Sequence, residues 1–381
     1  VGNYPNLYLQ HDGKTVYFYH LPAYADRRLI NNVHTVYLFD LYREGGMYAH
    51  ENFHHQREYL FSQLPHRKVR YLPESAYWCS SDIDVPAFLP EYLNSRWIDI
   101  HNLHRDTRAK GLPPLEGHVM FSSGHEWGYW LTDYLAAKMM WEPEKQLSQF
   151  VRHYAGAFGA CESRVTSLLT DFIALQTEYL FEKKLVAYLS GEDQHVDFGS
   201  HTGFITHPPR PPFIDVLRKN SEELRAFEQT DIAALETVDR RASELLKGVQ
   251  EVCASAPAQA KSWCAELEDG VEIIALRMRH TALLYRAIVA SARRSADAER
   301  FLTESDAVVE QAKQVVTRRA AHYRFPLERL TGAYENPTVY KFGYLRQAHT
   351  LCMWTRRRLE AAEVMRTRNP PDWLALPSCL E

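Results

Sequence analysis

Residues 118–143, HVMFSSGHEWGYWLTDYLAAKMMWEP, decide how this chain is read. Residues 118–123 form a short apolar run that ends in small residues, as a strand does where it meets a loop. An acid follows between a histidine and a tryptophan: His125, Glu126, Trp127. The apolar residues then recur at helical spacing up to a Trp-Glu-Pro at 141–143, where proline stops the helix, and a second helix follows. Strand, polar loop and helix in this order make up one β/α unit.

Working outward, the same alternation continues toward the N-terminus. TVYFYH (15–20) and KVRYLP (68–73) read as strands, and TVYLFDLY (35–42) as strand or helix. HHQREYLFSQL (54–64) and VPAFLPEYLNSRWIDIHNL (85–103) read as helices between them. Strands alternating with helices predict a parallel sheet or a (β/α) barrel. From 144 onward the signal is helical throughout. The exceptions are a Pro- and Gly-rich break at 199–212, a second break at 330–344 and an extended tail at 367–378. The expected architecture is an α/β, barrel-like domain over 1–143 and an α-helical bundle domain over 144–381.

The stretch 118–143 resembles the last β/α unit of glycoside hydrolase (β/α)8 barrels of the α-glucuronidase and hexosaminidase-like kind. In those proteins the final barrel helix often closes on a Trp-Asn/Asp-Pro turn and a helical domain follows. YLPESAYWCSSDIDVPAFLP (71–90) looks like the preceding unit. The resemblance covers about residues 35–160 and implies a carbohydrate-active fold. Four or five strands before residue 145 make only part of an eight-stranded barrel. The Asp-Glu pair that hexosaminidases carry after an earlier strand has no counterpart in a matching place.

Hydrolysis of a glycosidic bond uses two carboxyl groups, one protonated and one ionised, together with aromatic faces on which sugar rings stack. Glu74, Asp82 and Asp84 supply carboxyls, with Tyr77 and Trp78 beside them, while Glu126 supplies another among His125, Trp127 and Trp130. These nine residues are the candidate site, Glu74 and Glu126 being expected in one cleft. Each has a plainer alternative. Glu74 would pair with Arg70 or Arg96, Asp82 or Asp84 would cap the helix starting near Val85-Pro86, and the tryptophans would be core. A non-catalytic carbohydrate-binding or scaffold protein is the corresponding alternative to an enzyme.

His50-Glu51-Asn52-Phe53-His54 spells H-E-x-x-H, which on a helix would grip zinc with both histidines and use Glu51 as base. Glu74, twenty residues on, would be the third ligand, as in gluzincin peptidases. The flanking residues are polar almost throughout and offer no apolar backing for such a helix. A zinc-dependent hydrolase therefore stands as an alternative, and no metal or cofactor is expected.

Of the 381 residues, 45% are hydrophobic and 24% charged, with a net charge of −4, a composition that can bury a real core. That charge gives no reason to expect nucleic acid or an anionic membrane as partner, and no apolar run reaches membrane-spanning length. The expected partner is a carbohydrate or other small-molecule substrate. Six scattered cysteines, without C-x-x-C, read most simply as isolated reduced thiols, with a few disulfides as the alternative.

Overall fold

The computed structural model describes residues 8–46, 50–76, 88–122, 129–190, 210–322, 351–372 and 376. Their contacts divide them into two compact units. The first holds the described residues of 8–76 and 89–184. The second holds Phe88, 185–190 and the described residues from 210 onward.

The first unit opens on a hairpin, β1 (Tyr8–His11) and β2 (Lys14–Tyr17), paired antiparallel. Asp12 (φ 49°) and Gly13 (φ 73°) make the two-residue turn with both central residues at positive φ. That twist matches the flanking strands, and an Asp-Gly pair tolerates it. TVYFYH is not one strand: β2 stops at Tyr17 and Phe18–Tyr24 is a 3-10 helix. Next comes β3 (Asn31–His34), a four-residue strand just before the stretch expected to carry one. TVYLFDLY itself is neither strand nor helix but a loop buried from Val36 to Leu41.

Helix α1 (His54–Gln63) leads to β4 (Val69–Leu72) and β5 (Glu74–Ala76), and α2 (Glu91–Ala109) leads to β6 (Gly117–His118) and β7 (Phe121–Ser122). Pro90 precedes α2 with helical φ, and α2 starts at Glu91; Val85-Pro86, where a helix start was expected, lie outside the described residues. Strands β3, β4 and β6 form a parallel sheet in that order, and β5 pairs parallel with β7. The amides of Val119 and Phe121 donate to Tyr71 O (2.9 Å) and Pro73 O (2.8 Å), carrying the ladder past proline. β4–β5 and β6–β7 are thus two halves of longer strands. Three sequential parallel strands with a helix in each crossover give the expected β/α alternation. Among the described residues the sheet does not close into a barrel.

Helix α3 (Tyr129–Trp141) follows β7, and α4 (Leu147–Ala155) and α5 (Glu162–Gln176) pack with it and α2 in the same unit. Helix α4 is strongly amphipathic and buries Phe150, Val151 and Tyr154.

The second unit is helical. It contains α6 (Val186–Ser190), α7 (Phe213–Leu217), α8 (Ser221–Phe227), α9 (Ala233–Ser255), α10 (Lys261–Ala292), α11 (Asp297–Ala321) and α12 (Cys352–Thr367). Asn220 caps α8 by accepting from the amides of Glu222 and Glu223, and Glu223 returns a bond to the Asn220 amide. α10 is buried nearly all round because α7, α9, α11 and α12 surround it. Glu236 and Glu244 lie on exposed faces, paired with Arg286 and Arg240. Among the described residues no helix is long and apolar enough to cross a membrane.

Candidate functional site

A buried loop needs partners for every main-chain polar group, because water cannot reach them. Residues 35–43 find theirs partly on the main chain, where the Thr35 amide donates to Leu72 O and the Phe39 amide to Val36 O, both at 3.2 Å, and otherwise in side chains, most of them from other elements. The Tyr37 amide donates to Glu74 Oε2, and the Leu41 amide to Asp99 Oδ1 at 2.7 Å. Asp40 Oδ1 accepts from the amides of Tyr42 (2.9 Å) and Arg43 (2.7 Å). On the acceptor side, Ser95 donates to Leu38 O at 2.5 Å and Arg96 to Phe39 O. Arg96 also donates to Glu74 O (2.6 Å) and Thr35 Oγ1 (3.0 Å). The guanidinium of Arg43 joins Asp40 (2.6 Å) to Glu91 (2.8 Å) and lies over the Phe181 ring.

Arg96 and Asp99 are fully buried and sit one turn apart on α2, 3.6 Å from each other. Burial pushes the Asp99 carboxyl up to about 7 despite the neighbouring guanidinium and the bond from the Tyr71 hydroxyl. The same burial pushes the Tyr71 hydroxyl well up.

Tyr37 holds φ +55°, a left-handed conformation seldom adopted by an aromatic residue. The strain is held in place by the bond from its amide to Glu74 and by a side chain with no solvent exposure. The other oxygen of Glu74, Oε1, lies 3.0 Å from His34 Nε2. His34 ends β3, and Glu74 stands just past Pro73 in the neighbouring strand, two residues beyond the position paired with His34, so the pair lies at the C-terminal end of β3, the usual side for reacting groups in α/β folds. The Glu74 side chain is 3% exposed and that of His34 20%. A carboxylate accepting from Nε2–H leaves Nδ1 as the second ring nitrogen, and among the described residues Nδ1 has no partner. Phe121, from the adjacent strand end, lies edge-on to the imidazole and is 38% exposed.

Of the residues singled out from sequence, Glu74 is therefore central, although its carboxylate meets His34 rather than Arg70 or Arg96. Arg96 binds only its carbonyl. Trp130 falls in the first turn of α3. Tyr77, Trp78, Asp82, Asp84, His125, Glu126 and Trp127 lie outside the described residues. His34 and the Arg96–Asp99 pair were not foreseen. His34 closes NNVH, whose two asparagines hid a strand next to the more apolar run at 35–42.

The H-E-x-x-H stretch lacks the helix that zinc binding requires. α1 begins at His54, and Glu44 and Asn52 form an antiparallel bridge before it. His50 Nε2 lies 3.3 Å from the Tyr17 hydroxyl, and His54 Nε2 lies 2.9 Å from Tyr42 O. Their side chains serve two different partners instead of converging. Among the described residues no three His, Cys, Asp or Glu side chains are placed to hold a metal ion. His50 instead stacks on His55 (4.7 Å), and His20 stacks on Tyr59 (4.1 Å), in an aromatic cluster around Tyr17.

The bridge also makes a testable demand on Gly46. A Cβ there would lie 2.2 Å from the His50 carbonyl oxygen, a main-chain atom that cannot swing aside. Gly46→Ala should cost about 1–3 kcal/mol, as overpacking does, read as a lower urea midpoint with unchanged slope. Unaltered stability would show that the 44–52 turn is not this tight.

Compared with protein-family models, with curated proteins and with solved structures, the chain matches none.

Proposed function

We propose that the first unit binds carbohydrate at the C-terminal ends of its parallel strands and hydrolyses a glycosidic bond there. His34 is the proton-transfer group and Glu74 the carboxylate that positions it. The observation that carries this reading is the 3.0 Å His34–Glu74 pair, with the carboxylate buried and the imidazole partly open. A buried carboxylate on one ring nitrogen sets the tautomer and stabilises the protonated ring when the other nitrogen takes a proton. Phe121 offers an apolar face beside it, of the kind on which sugar C–H patches rest. Glu126, four residues beyond β7 in the chain, supplies the second carboxyl of this reading.

A panel of aryl glycosides of differing sugar and anomeric configuration tests it. With the one that turns over, His34→Ala should lower kcat by about 10²–10⁴, the usual worth of a general acid or base. Glu74→Gln should lower kcat with little change in KM, because the amide holds the His34 ring less firmly in place. A loss of activity that only follows a lowered urea midpoint would leave Glu74 a purely structural group.

One observation favours a second reading, carbohydrate binding without turnover: both carboxylate oxygens of Glu74 are already engaged, one of them in holding the loop. Calorimetric titration with oligosaccharides separates the two. Heat of binding without turnover supports the second reading, and neither heat nor turnover across the panel removes both.

A further inference from the structure

Helices α9 and α10 form an antiparallel hairpin, turning through Pro257 and the short 3-10 segment Ala258–Ala260. Cys253 lies in the last turn of α9 and Cys264 in the first turn of α10. The hairpin places the two cysteines on facing turns at the same end, with Lys261, three residues before Cys264, already bonded to Cys253 O, and both are unbonded cysteines. Cys253 is half-buried and reachable from solvent, whereas Cys264 is 1% exposed. Lys261 stands at the same corner, its Nζ 2.5 Å from Cys253 O and 3.2 Å from Ala254 O.

The surroundings treat the two sulfurs differently. The C-terminal end of α9 carries partial negative charge and disfavours a thiolate at Cys253, while the N-terminal end of α10 carries partial positive charge and favours one at Cys264. In agreement, the Cys253 thiol is pushed up, first by its hydrogen bond to Cys264 and then by burial. The Cys264 thiol is pushed down, first by that same hydrogen bond, with the Lys261 charge assisting. Isolated thiols were the simpler expectation from sequence, and the structure departs from it twice, since Cys352 is disulfide-bonded as well.

We propose that Cys253 and Cys264 are a redox-active dithiol that closes to a disulfide across the α9–α10 hairpin, with a low-molecular-weight disulfide as the oxidant. Cys253, the reachable sulfur, attacks one sulfur of the oxidant. Its proton goes, through solvent, to the oxidant thiolate that leaves, and a mixed disulfide remains on Cys253. Cys264 then attacks the Cys253 sulfur and expels the second oxidant thiolate, which takes the Cys264 proton. Two protein sulfurs are oxidised, one small disulfide is reduced to two thiols, and a 12-residue span from Cys253 to Cys264 is closed. A dithiol reductant reverses both steps.

The test uses the full chain treated with oxidised glutathione, alkylated in acid and digested with trypsin without reduction. Cleavage after Lys247, Lys261 and Arg277 leaves peptides 248–261 and 262–277 with one cysteine each. The expected product is this pair joined by a disulfide, returning to two alkylated peptides after dithiothreitol. In Cys264→Ser, Cys253 should accumulate one glutathione and go no further. In Cys253→Ser, the buried Cys264 should stay unmodified. The proposal is overturned if both thiols of the untreated and oxidised chain alkylate equally. It is overturned as well if Cys253 keeps glutathione while Cys264 is present, or if either sulfur joins a different cysteine.

Discussion

Arg96→Met should be among the most damaging substitutions in the first unit, with a loss of about 3–5 kcal/mol, the usual cost of breaking a buried ion pair from one side. Methionine fills much of the same volume, so the loss reports bonds rather than a cavity. The carbonyls of Glu74 and Phe39 and the Thr35 hydroxyl would all lose their donor in a place water does not reach. Asp99 would lose its neighbouring positive charge, and its carboxyl, already at about 7, would move further up. A carboxyl whose folded value lies above its unfolded value makes its largest contribution when protonated, and that contribution is lost as pH rises through the folded value. The variant should therefore become progressively less stable from pH 7 to 9, and adding Asp99→Asn should flatten that dependence. Urea unfolding at several pH values measures both effects. A loss under 1 kcal/mol, or one indifferent to pH, would mean that Arg96 does not support the 35–43 loop.

Acid should unfold the first unit well before ordinary carboxylates titrate. Burial pushes His20, His55 and His118 down to about 4, with the charges of His50, His20 and His54 adding to the effect at His55. In the unfolded chain each returns to about 6.5. Between these values the unfolded state binds more protons, so stability is full above pH 6.5 and falls as pH drops toward 4. Asp99 acts in the opposite sense over the same window, since folding raises its value. Three histidines against Asp99 and Glu91, whose carboxyl burial also pushes up, leave a net uptake of about one to two protons on unfolding, and each proton contributes about 1.4 kcal/mol per pH unit at full effect. Residual contact with water reduces that, and a fall of a few kcal/mol between pH 6.5 and 4.5 is the expected result. Tryptophan fluorescence against urea at half-unit steps of pH follows it. Replacing His55 by Phe should remove about one proton from the slope. A stability flat down to pH 4.5 would show that these imidazoles are not desolvated as placed.

The α/β alternation and the long helices were legible in the sequence because each rests on local periodicity. HHQREYLFSQL gave α1 to within a residue, and KVRYLP gave β4. Where reading failed, tertiary bonds had replaced local ones. TVYLFDLY has the composition of a strand and sits beside one, but after Thr35, whose amide still reaches Leu72 O, its amides go to Glu74, Asp99, its own Asp40 and one internal turn instead of to a neighbouring ladder. No pattern of hydrophobicity encodes such a loop. The position of Glu74 after an apolar strand was visible, whereas its partner His34 became visible only once Asn31–His34 was seen to be the strand. Arg96 and Asp99 carry no signature that separates them from charges on a solvated helix face. The Asp12-Gly13 turn carries a two-residue hairpin signal that went unread, although the strand it leads into, TVYFYH, was seen in its first half.

The side-chain bonding of residues 35–43 bears on anyone who would move this loop to another protein. A loop held by its own turns can be cut out and transplanted as a segment. This one would arrive without its instructions, which are kept on α2 as Ser95, Arg96 and Asp99 and at the start of β5 as Glu74. A graft of those nine residues alone should collapse or stay unstructured in its new host. A graft that carries the four distant side chains, on a helix and strand at matching distance, should keep the left-handed Tyr37. By the same logic, natural variation in the loop is constrained less by its own side chains than by what happens on α2, some sixty positions further along the chain.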